Sequence, residues 1–155
     1  MKILFRRAYP EDLRLLIRKA YEDDHEMKSI HILEGASLEE MVEYTYRQVM
    51  EDEMSSQVKI YGVYLDHTLI GYTTLVLDPI KLLFTFGINI HYRTKDVLIG
   101  WLKTLDRYLG HSYMLTVREK NERTMKFFKR NGFEVKHNPD QKEYVIWRQA
   151  QSSRQ

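Results

Sequence analysis

The alternation of apolar and polar residues divides the chain into helices and strands joined by short polar turns. Residues 2–7 alternate as a first strand. Pro10 suits the first turn of a helix, and the acidic residues Glu11 and Asp12 after it favour a helix N-terminus. Apolar residues then recur at spacings of three and four, as on the buried face of a helix. They are Leu13, Leu16, Ile17, Ala20 and Tyr21.

A second helix and three strands in succession follow. The segment from Ser37 to Glu40 has the form of a capping box, in which each of these two side chains binds the other's backbone N–H, and it predicts a helix to about residue 52. Alternating residues then predict strands over 57–65, 69–77 and 82–91.

The remaining chain alternates helices and strands. Helices are predicted over 94–109, ending at Gly110, and over 121–131. The second of these ends at Asn131-Gly132-Phe133, which predicts a Schellman motif with Phe133 packed back on Phe128. Strands are predicted over 113–118, 133–137 and 143–148. The element order is therefore β-α-α-β-β-β-α-β-α-β-β.

Composition narrows the class of protein. A chain of 155 residues that is 43% hydrophobic and 30% charged suits one folded domain. The absence of cysteine excludes disulfides, thiolate metal sites and a cysteine nucleophile. No apolar run approaches the ~20 residues of a membrane-spanning helix, and no signal peptide is recognisable at the start, so a soluble cytoplasmic protein is expected. The six histidines form no metal-ligand spacing, so no metal is expected.

Charge is distributed unevenly along the chain. The net charge is +2, but residues 1–57 carry −5 and residues 58–155 carry +7. A basic run interleaved with aromatic residues lies near the C-terminal end and suits either a solvated helix face or contact with RNA or a phosphorylated cofactor. The run comprises Arg118, Lys120, Arg123, Lys126, Lys129 and Arg130.

The element order and three segments resemble the GNAT superfamily of N-acetyltransferases over nearly the whole chain. Residues 64–71 are similar to its second hairpin, and residues 88–93 to the end of its fourth strand. Residues 121–133 are the most specific, because Asn121, the pair Phe127-Phe128 and Gly132-Phe133 stand at the family's spacing. The resemblance implies an α+β fold of the α/β class, with a mixed, mostly antiparallel sheet of about six or seven strands and about four helices. It implies one domain over 1–149, followed by a polar tail over 150–155.

The family's chemistry implies acetyl-CoA as donor and a primary amine, on a small molecule or a protein, as acceptor. Pantetheine would pair with the open fourth strand at Ile88 and Ile90, pyrophosphate would lie against residues 93–98, and Asn121 would hold the thioester arm. His91 or water would be the base, so His91 is the candidate catalytic residue. The implied acceptor region includes Tyr21, His25, His31, Tyr44 and Tyr46. The implied cofactor-binding residues are Ile88, Ile90, Tyr92, Arg93, Thr94, Lys95, Asp96, Val97, Leu98, Asn121 and Phe128.

The sequence departs from the family pattern at three places, one of which is that residues 80–92 contain no Asp or Glu and leave His91 as the only titratable base there besides Tyr92. The loop glycines are replaced in Arg93-Thr94-Lys95-Asp96-Val97-Leu98, where Thr94 and Asp96 are expected to cap the helix themselves. Phe128 stands where the family usually has a proton-donating tyrosine, and it is expected to pack in the core beneath Phe133. Two main interpretations therefore remain open. One is an acetyltransferase, of full or impaired activity. The other is a non-catalytic GNAT-fold binding or assembly protein, such as a virion-associated or accessory component of a tailed phage. A nucleic-acid binder is a more distant third.

Overall fold

The protein is built on one mixed β-sheet with helices on both faces. The computed structural model describes residues 2–23, 35–54, 57–78 and 80–148, and for residues 52–54 the backbone alone. Within these ranges it contains seven strands, four α-helices and one 3₁₀ turn at Ile90–Tyr92. The strands are β1 (Ile3–Arg6), β2 (Val58–Leu65), β3 (Thr68–Val76), β4 (Leu82–Ile88), β5 (Tyr113–Arg118), β6 (Glu134–Asn138) and β7 (Glu143–Arg148), and the helices are α1 (Pro10–Asp23), α2 (Leu38–Met54), α3 (Lys95–Leu109) and α4 (Glu122–Arg130).

The sheet has the spatial order β1-β2-β3-β4-β5-β7-β6. Five of its six neighbouring pairs are antiparallel, and the central pair β4–β5 is parallel. Helix α3 makes the connection between these parallel strands, as a parallel connection requires. The predicted fold class, a mixed and mostly antiparallel sheet flanked by helices, is confirmed.

Two apolar cores lie on opposite faces of the sheet. On one face, buried residues of α1 and α2, among them Leu13 and Val42, pack against Tyr72 of β3. On the other face, Trp101 of α3 packs in the larger core and donates its indole N–H to the Thr73 hydroxyl at 3.0 Å. Tyr72 and Thr73 are consecutive in β3, and consecutive residues of a strand point to opposite faces. The sheet is therefore covered by α1 and α2 on one side and by α3 on the other.

Local sequence signals account for the start of α2 and the end of α4. In the capping box, Ser37 N–H donates to Glu40 at 3.0 Å and Glu40 N–H donates to the Ser37 hydroxyl at 3.2 Å. At the end of α4, Phe133 N–H donates to the Phe128 carbonyl and Gly132, at φ +92°, donates to Lys129. These are the two bonds of a Schellman motif, so both predicted end motifs are confirmed.

Strand β4 ends at Ile88, so the predicted strand over 82–91 is three residues too long. The chain leaves the sheet at Asn89, whose side-chain oxygen accepts the His91 N–H at 2.9 Å. Tyr92 N–H and Arg93 N–H then donate to the carbonyls of Asn89 and Ile90, which closes the 3₁₀ turn. Ile90 and His91 therefore lie beyond the strand.

Some predicted features lie outside the described residues. They include His25 and His31 of the implied acceptor region and the polar tail over 150–155. Among the described helices, none is both long enough and apolar enough to cross a membrane.

Candidate active site

The parallel strands β4 and β5 touch at one end and then separate. Leu82 stands opposite Met114, and this is the only register pair of the two strands within the described ranges. Met114 N–H donates to the Lys81 carbonyl at 3.3 Å beside it. Beyond this point β4 continues to Ile88 and β5 to Arg118 without pairing. The sheet therefore opens into a wedge between the C-terminal halves of its two central strands.

A β-bulge in β4 lies close to the closed end of the wedge. Leu75 of β3 stands opposite Leu83 and Thr74 stands opposite Thr85, so Phe84 has no partner in the β3 register. The Thr74 hydroxyl fills the gap, accepting the Thr85 N–H at 2.8 Å and contacting the Thr85 hydroxyl at 2.5 Å. A bulge bends its strand and increases the local twist, which accounts for the divergence of β4 from β5.

The phase of the β3–β4 hydrogen bonds decides which backbone groups face the wedge. Asn89 N–H donates to the Ile70 carbonyl at 2.8 Å, so Asn89 and Gly87 direct their backbone groups toward β3. In an antiparallel pair the intervening residues point the other way. Phe86 and Ile88 therefore direct their N–H and C=O groups into the wedge, where the Ile88 carbonyl accepts the Arg93 Nε–H at 2.7 Å.

Helix α3 begins beyond the open end of β4 and is capped by the side chain of Thr94, the residue before its first turn. Thr94, at φ −88° and ψ 161°, accepts the Val97 N–H on its hydroxyl at 3.3 Å. Asp96 lies in the first turn, where a carboxylate favours the helix dipole. Thr94, Lys95 and Asp96 are exposed, whereas Val97 is buried in the core. The prediction that Thr94 caps this helix is confirmed.

Helix α4 begins beside the end of β5 with an asparagine that does not cap it. Asn121 occupies the N-cap position, but its side chain makes no capping hydrogen bond. Its backbone N–H donates to the Arg118 carbonyl at 2.8 Å, which holds the residue against the end of β5. Asn121 is thus half-buried and follows the end of β5, and its side chain does not cap its own helix.

Phe128 is fully buried within a cluster of aromatic rings. Its ring centroid lies 5.0 Å from Phe133, 6.0 Å from Phe86 and 6.1 Å from Trp101, all in edge-to-face arrangements. The predicted core role of Phe128 is confirmed, and its contact with a cofactor stays a prediction. A phenyl ring has no proton to donate, so this position supplies no general acid.

His91 lies in the 3₁₀ turn with its side chain 66% exposed. Its Nε2 is 3.4 Å from Oδ2 of Asp23, the last residue of α1. The Asp23 carboxylate also accepts from Asn89 Nδ2 at 3.2 Å and lies 3.3 Å from Lys19 Nζ. The hydrogen bond from Asn89, followed by the contact with Lys19, lowers the pKa of Asp23 even though desolvation opposes the shift.

Sequence reasoning did not find Asp23 as part of this arrangement. The residue stands within an acidic run, and no local spacing connects it to Asn89, which is 66 positions away. Only the packing of α1 beside the end of β4 brings the two together.

The predicted acceptor residues are only partly described. Tyr21 is buried and shares a 2.7 Å hydrogen bond with Thr45, and the Tyr46 ring lies under the Arg14 guanidinium at 4.2 Å. Both therefore serve the packing of α1 against α2. Tyr44 is exposed, whereas His25 and His31 lie outside the described residues.

No protein-family model and no curated protein matches the sequence. Solved structures do match. An acetyltransferase from Thermus thermophilus superposes with a TM-score of 0.72 at 15% identity, over 95% of this chain and 96% of its own. The PaiA N-acetyltransferase from Thermoplasma acidophilum, in complex with coenzyme A, superposes with a TM-score of 0.66 at 22% identity, over 96% of this chain and 99% of its own. RimL, a ribosomal L7/L12 alpha-N-protein acetyltransferase in complex with coenzyme A, superposes with a TM-score of 0.66 at 12% identity, over 99% of this chain and 97% of its own. The chain therefore has the fold of the GNAT-family acetyltransferases.

Proposed function

We propose that this protein is an N-acyltransferase that moves an acetyl group from acetyl-CoA to a primary amine. The observation that carries the proposal is the separation of β4 from β5 beyond Leu82 and Met114, which leaves a strand edge facing an opening. Structures of the same fold bind coenzyme A, as the PaiA and RimL complexes do. Such an edge can pair with an extended ligand of the size of pantetheine.

The β4 edge fits the amide groups of pantetheine. Phe86 and Ile88 direct a backbone donor and acceptor each toward the wedge, in the spacing that an added strand uses. Arg93 now binds the Ile88 carbonyl, so it would share or release that oxygen when a ligand pairs there. Ile90 lies in the 3₁₀ turn, and we therefore assign the second backbone contact to Phe86 instead.

The start of α3 fits a pyrophosphate group in part. Arg93 and Lys95 offer positive charge, and the first turn of a helix offers backbone N–H groups to an anion. Asp96 opposes an anion, and the Thr94 hydroxyl already occupies the Val97 N–H. Val97 is buried, and Tyr92 and Leu98 pack against the same core, so these three would shape the segment rather than hold the phosphates.

The chemistry at the closed end of the wedge is a direct transfer. The amine nitrogen forms a bond to the thioester carbon, the carbon–sulfur bond breaks, and the departing thiolate takes a proton. No cysteine is needed for this reaction. β4 itself carries no acidic or basic side chain over Leu82–Ile88 and His91 lies beyond the end of the strand, so we assign the amine proton to water.

The test is amine-dependent thiol release from acetyl-CoA. A panel of polyamines, amino acids and peptides with free N-termini is incubated with the protein, and acetylated products are identified by mass. We expect release with at least one amine, weakened roughly tenfold or more in Asn121→Ala. Asn131→Ala is the matched control, because it changes the other end of the same helix, where Asn131 donates to the Phe127 carbonyl. An absence of release above the spontaneous rate for every amine would contradict the proposal.

The assembly-protein interpretation gains no support. The three structural relatives named above are acetyltransferases, and none of the three is a virion component. The described site residues offer no observation that favours this second function.

A further inference from the structure

A polar contact joins the end of α1 to the turn that follows β4. Asp23 is the last residue of α1, and its side chain is only 11% exposed. Its Oδ2 accepts from Asn89 Nδ2 at 3.2 Å and lies 3.4 Å from His91 Nε2, while Oδ1 lies 3.3 Å from Lys19 Nζ. A carboxylate so enclosed is costly unless it is paired, and here both oxygens have partners.

Asn89 is buried and uses all of its hydrogen-bonding groups. Its backbone N–H binds the Ile70 carbonyl, its carbonyl accepts from Tyr92, and its side-chain oxygen accepts the His91 N–H. Its side-chain NH₂ is directed to Asp23. Because an amide that points its oxygen at His91 N–H must present its NH₂ elsewhere, the carboxylate of Asp23 selects this orientation over the flipped one.

We propose that Asp23 is a positioning residue of the acetyl-CoA site. It fixes the side chain of Asn89, and through it the 3₁₀ turn and the start of the segment 93–98. This inference rests on the proposed function, because that segment is the one assigned to the cofactor phosphates. Thr94, the cap of α3, stands only five residues after Asn89, so a turn held at Asn89 sets where α3 begins.

The contact differs from the other polar contacts of α1. Arg14 pairs with Glu43 and Arg18 with Glu39, so these side chains join α1 to α2 at exposed positions. Asp23, in contrast, reaches the sheet at the end of β4 and is largely enclosed. The contact of Asp23 therefore joins α1 to the turn after β4 and takes no part in the packing of α1 against α2.

The first test compares Asp23→Ala with Glu22→Ala. Glu22 is the preceding acidic residue, is exposed, and lies 3.8 Å from Arg18 on its own helix. Hydrogen–deuterium exchange of residues 89–94 in the free protein is measured together with the Kd for acetyl-CoA. We expect Asp23→Ala to speed exchange in that segment roughly fivefold and to weaken acetyl-CoA binding roughly tenfold, with kcat within about twofold of wild type. Glu22→Ala is expected to behave as wild type.

A double-mutant cycle separates positioning through Asn89 from a general loss of stability. If Asp23 acts through Asn89, the double variant Asp23→Ala/Asn89→Ala binds acetyl-CoA no more weakly than Asn89→Ala alone. Additive losses, or wild-type exchange in residues 89–94 of Asp23→Ala, would overturn the inference. Should Asp23→Ala fail to fold, Asp23→Asn keeps the volume, removes the charge and is expected to show an intermediate effect. Failure of the wild type to bind acetyl-CoA would instead overturn the proposed function, while the exchange rates of the free protein would still decide whether Asp23 fixes the turn.

Discussion

Leu82 of β4 and Met114 of β5 stand opposite each other at the point where the sheet changes from closed to open. On one side of this pair the Met114 N–H binds the Lys81 carbonyl. On the other side, the bulge at Phe84 bends β4 away, and the described strands make no further pair. The proposed chemistry depends on this relationship, because a fully paired sheet would have no edge to offer a ligand.

The first prediction concerns His91. The turn that carries it lies beyond Ile88, which stands four residues after Phe84, a distance of about 13 Å at a rise of about 3.3 Å per residue. A thioester bound near the bulge would therefore be remote from the imidazole. We expect His91→Gln to change kcat/KM by less than about threefold at neutral pH in a steady-state assay. A loss of roughly 10²-fold or more would show that His91 is the general base after all.

The second prediction compares the effect of Asp96 on CoA affinity with its effect on the free energy of unfolding. Asp96 stabilises its helix through the dipole but repels a phosphate. We expect Asp96→Asn to bind CoA roughly three- to tenfold more tightly, since the charge is exposed and screened, and to lose about 0.3–1 kcal/mol of unfolding free energy. Calorimetric titration and urea unfolding give the two values. Glu11→Gln, in the first turn of α1, is the control and should lose stability with unchanged affinity. A fall in CoA affinity in Asp96→Asn would contradict the prediction.

The third prediction concerns the missing tyrosine. Phe128→Tyr places a hydroxyl among Phe86, Trp101 and Phe133, where the enclosing rings offer it no acceptor. We expect a loss of about 1–3 kcal/mol in urea unfolding and no gain in kcat. Phe127→Tyr, on the half-buried neighbouring ring, should stay within about 0.5 kcal/mol of wild type. An increase in kcat for Phe128→Tyr would show that the ring reaches the reacting atoms.

The fourth prediction concerns alkaline pH. Tyr113 is buried and donates to Asp106 at 2.8 Å, and burial first, then this hydrogen bond, raises the pKa of Tyr113 well above 10. Above pH 10 the unfolded chain loses the phenol proton while the folded chain keeps it. Stability should therefore fall as pH rises from 10 to 12, by about 1.4 kcal/mol per pH unit from this group.

Tyr113→Phe provides the comparison for this slope. It lacks the ionisable group, so its free energy of unfolding should fall less steeply between pH 10 and pH 12. Tyr9→Phe, on an exposed ring, serves as the control and should keep the wild-type slope. Equal slopes for wild type and Tyr113→Phe would refute the assignment.

Features set by neighbouring residues could be predicted from the sequence. The capping box at Ser37, the Thr94 cap and the Schellman motif at Phe133 each depend on hydrogen bonds between residues within five positions of one another. A short stretch of sequence therefore contains every residue that each of these motifs needs. The order of elements and the fold class followed from the same local patterns together with the resemblance.

Features set by distant residues could not be predicted in this way. Ile88 and Ile90 continue the apolar alternation of β4, so nothing local marks the end of the strand at Ile88. The chain turns there through the hydrogen bonds that Asn89 accepts from His91 and Tyr92, and the Asn89 side chain in turn donates to Asp23 from another part of the sequence. The bulge at Phe84 likewise depends on the β3 register, which a run of apolar residues does not specify.

Residue-resolved amide exchange of β4, measured by NMR with and without acetyl-CoA, shows whether the cofactor pairs with the open edge of this strand. Phe86 and Ile88 face the wedge, whereas Thr85 and Gly87 face β3 and serve as internal controls. We expect millimolar acetyl-CoA to slow exchange at Phe86 and Ile88 and to leave exchange at Thr85 and Gly87 unchanged. Unaltered exchange at Phe86 and Ile88 would contradict the pairing of acetyl-CoA with the β4 edge.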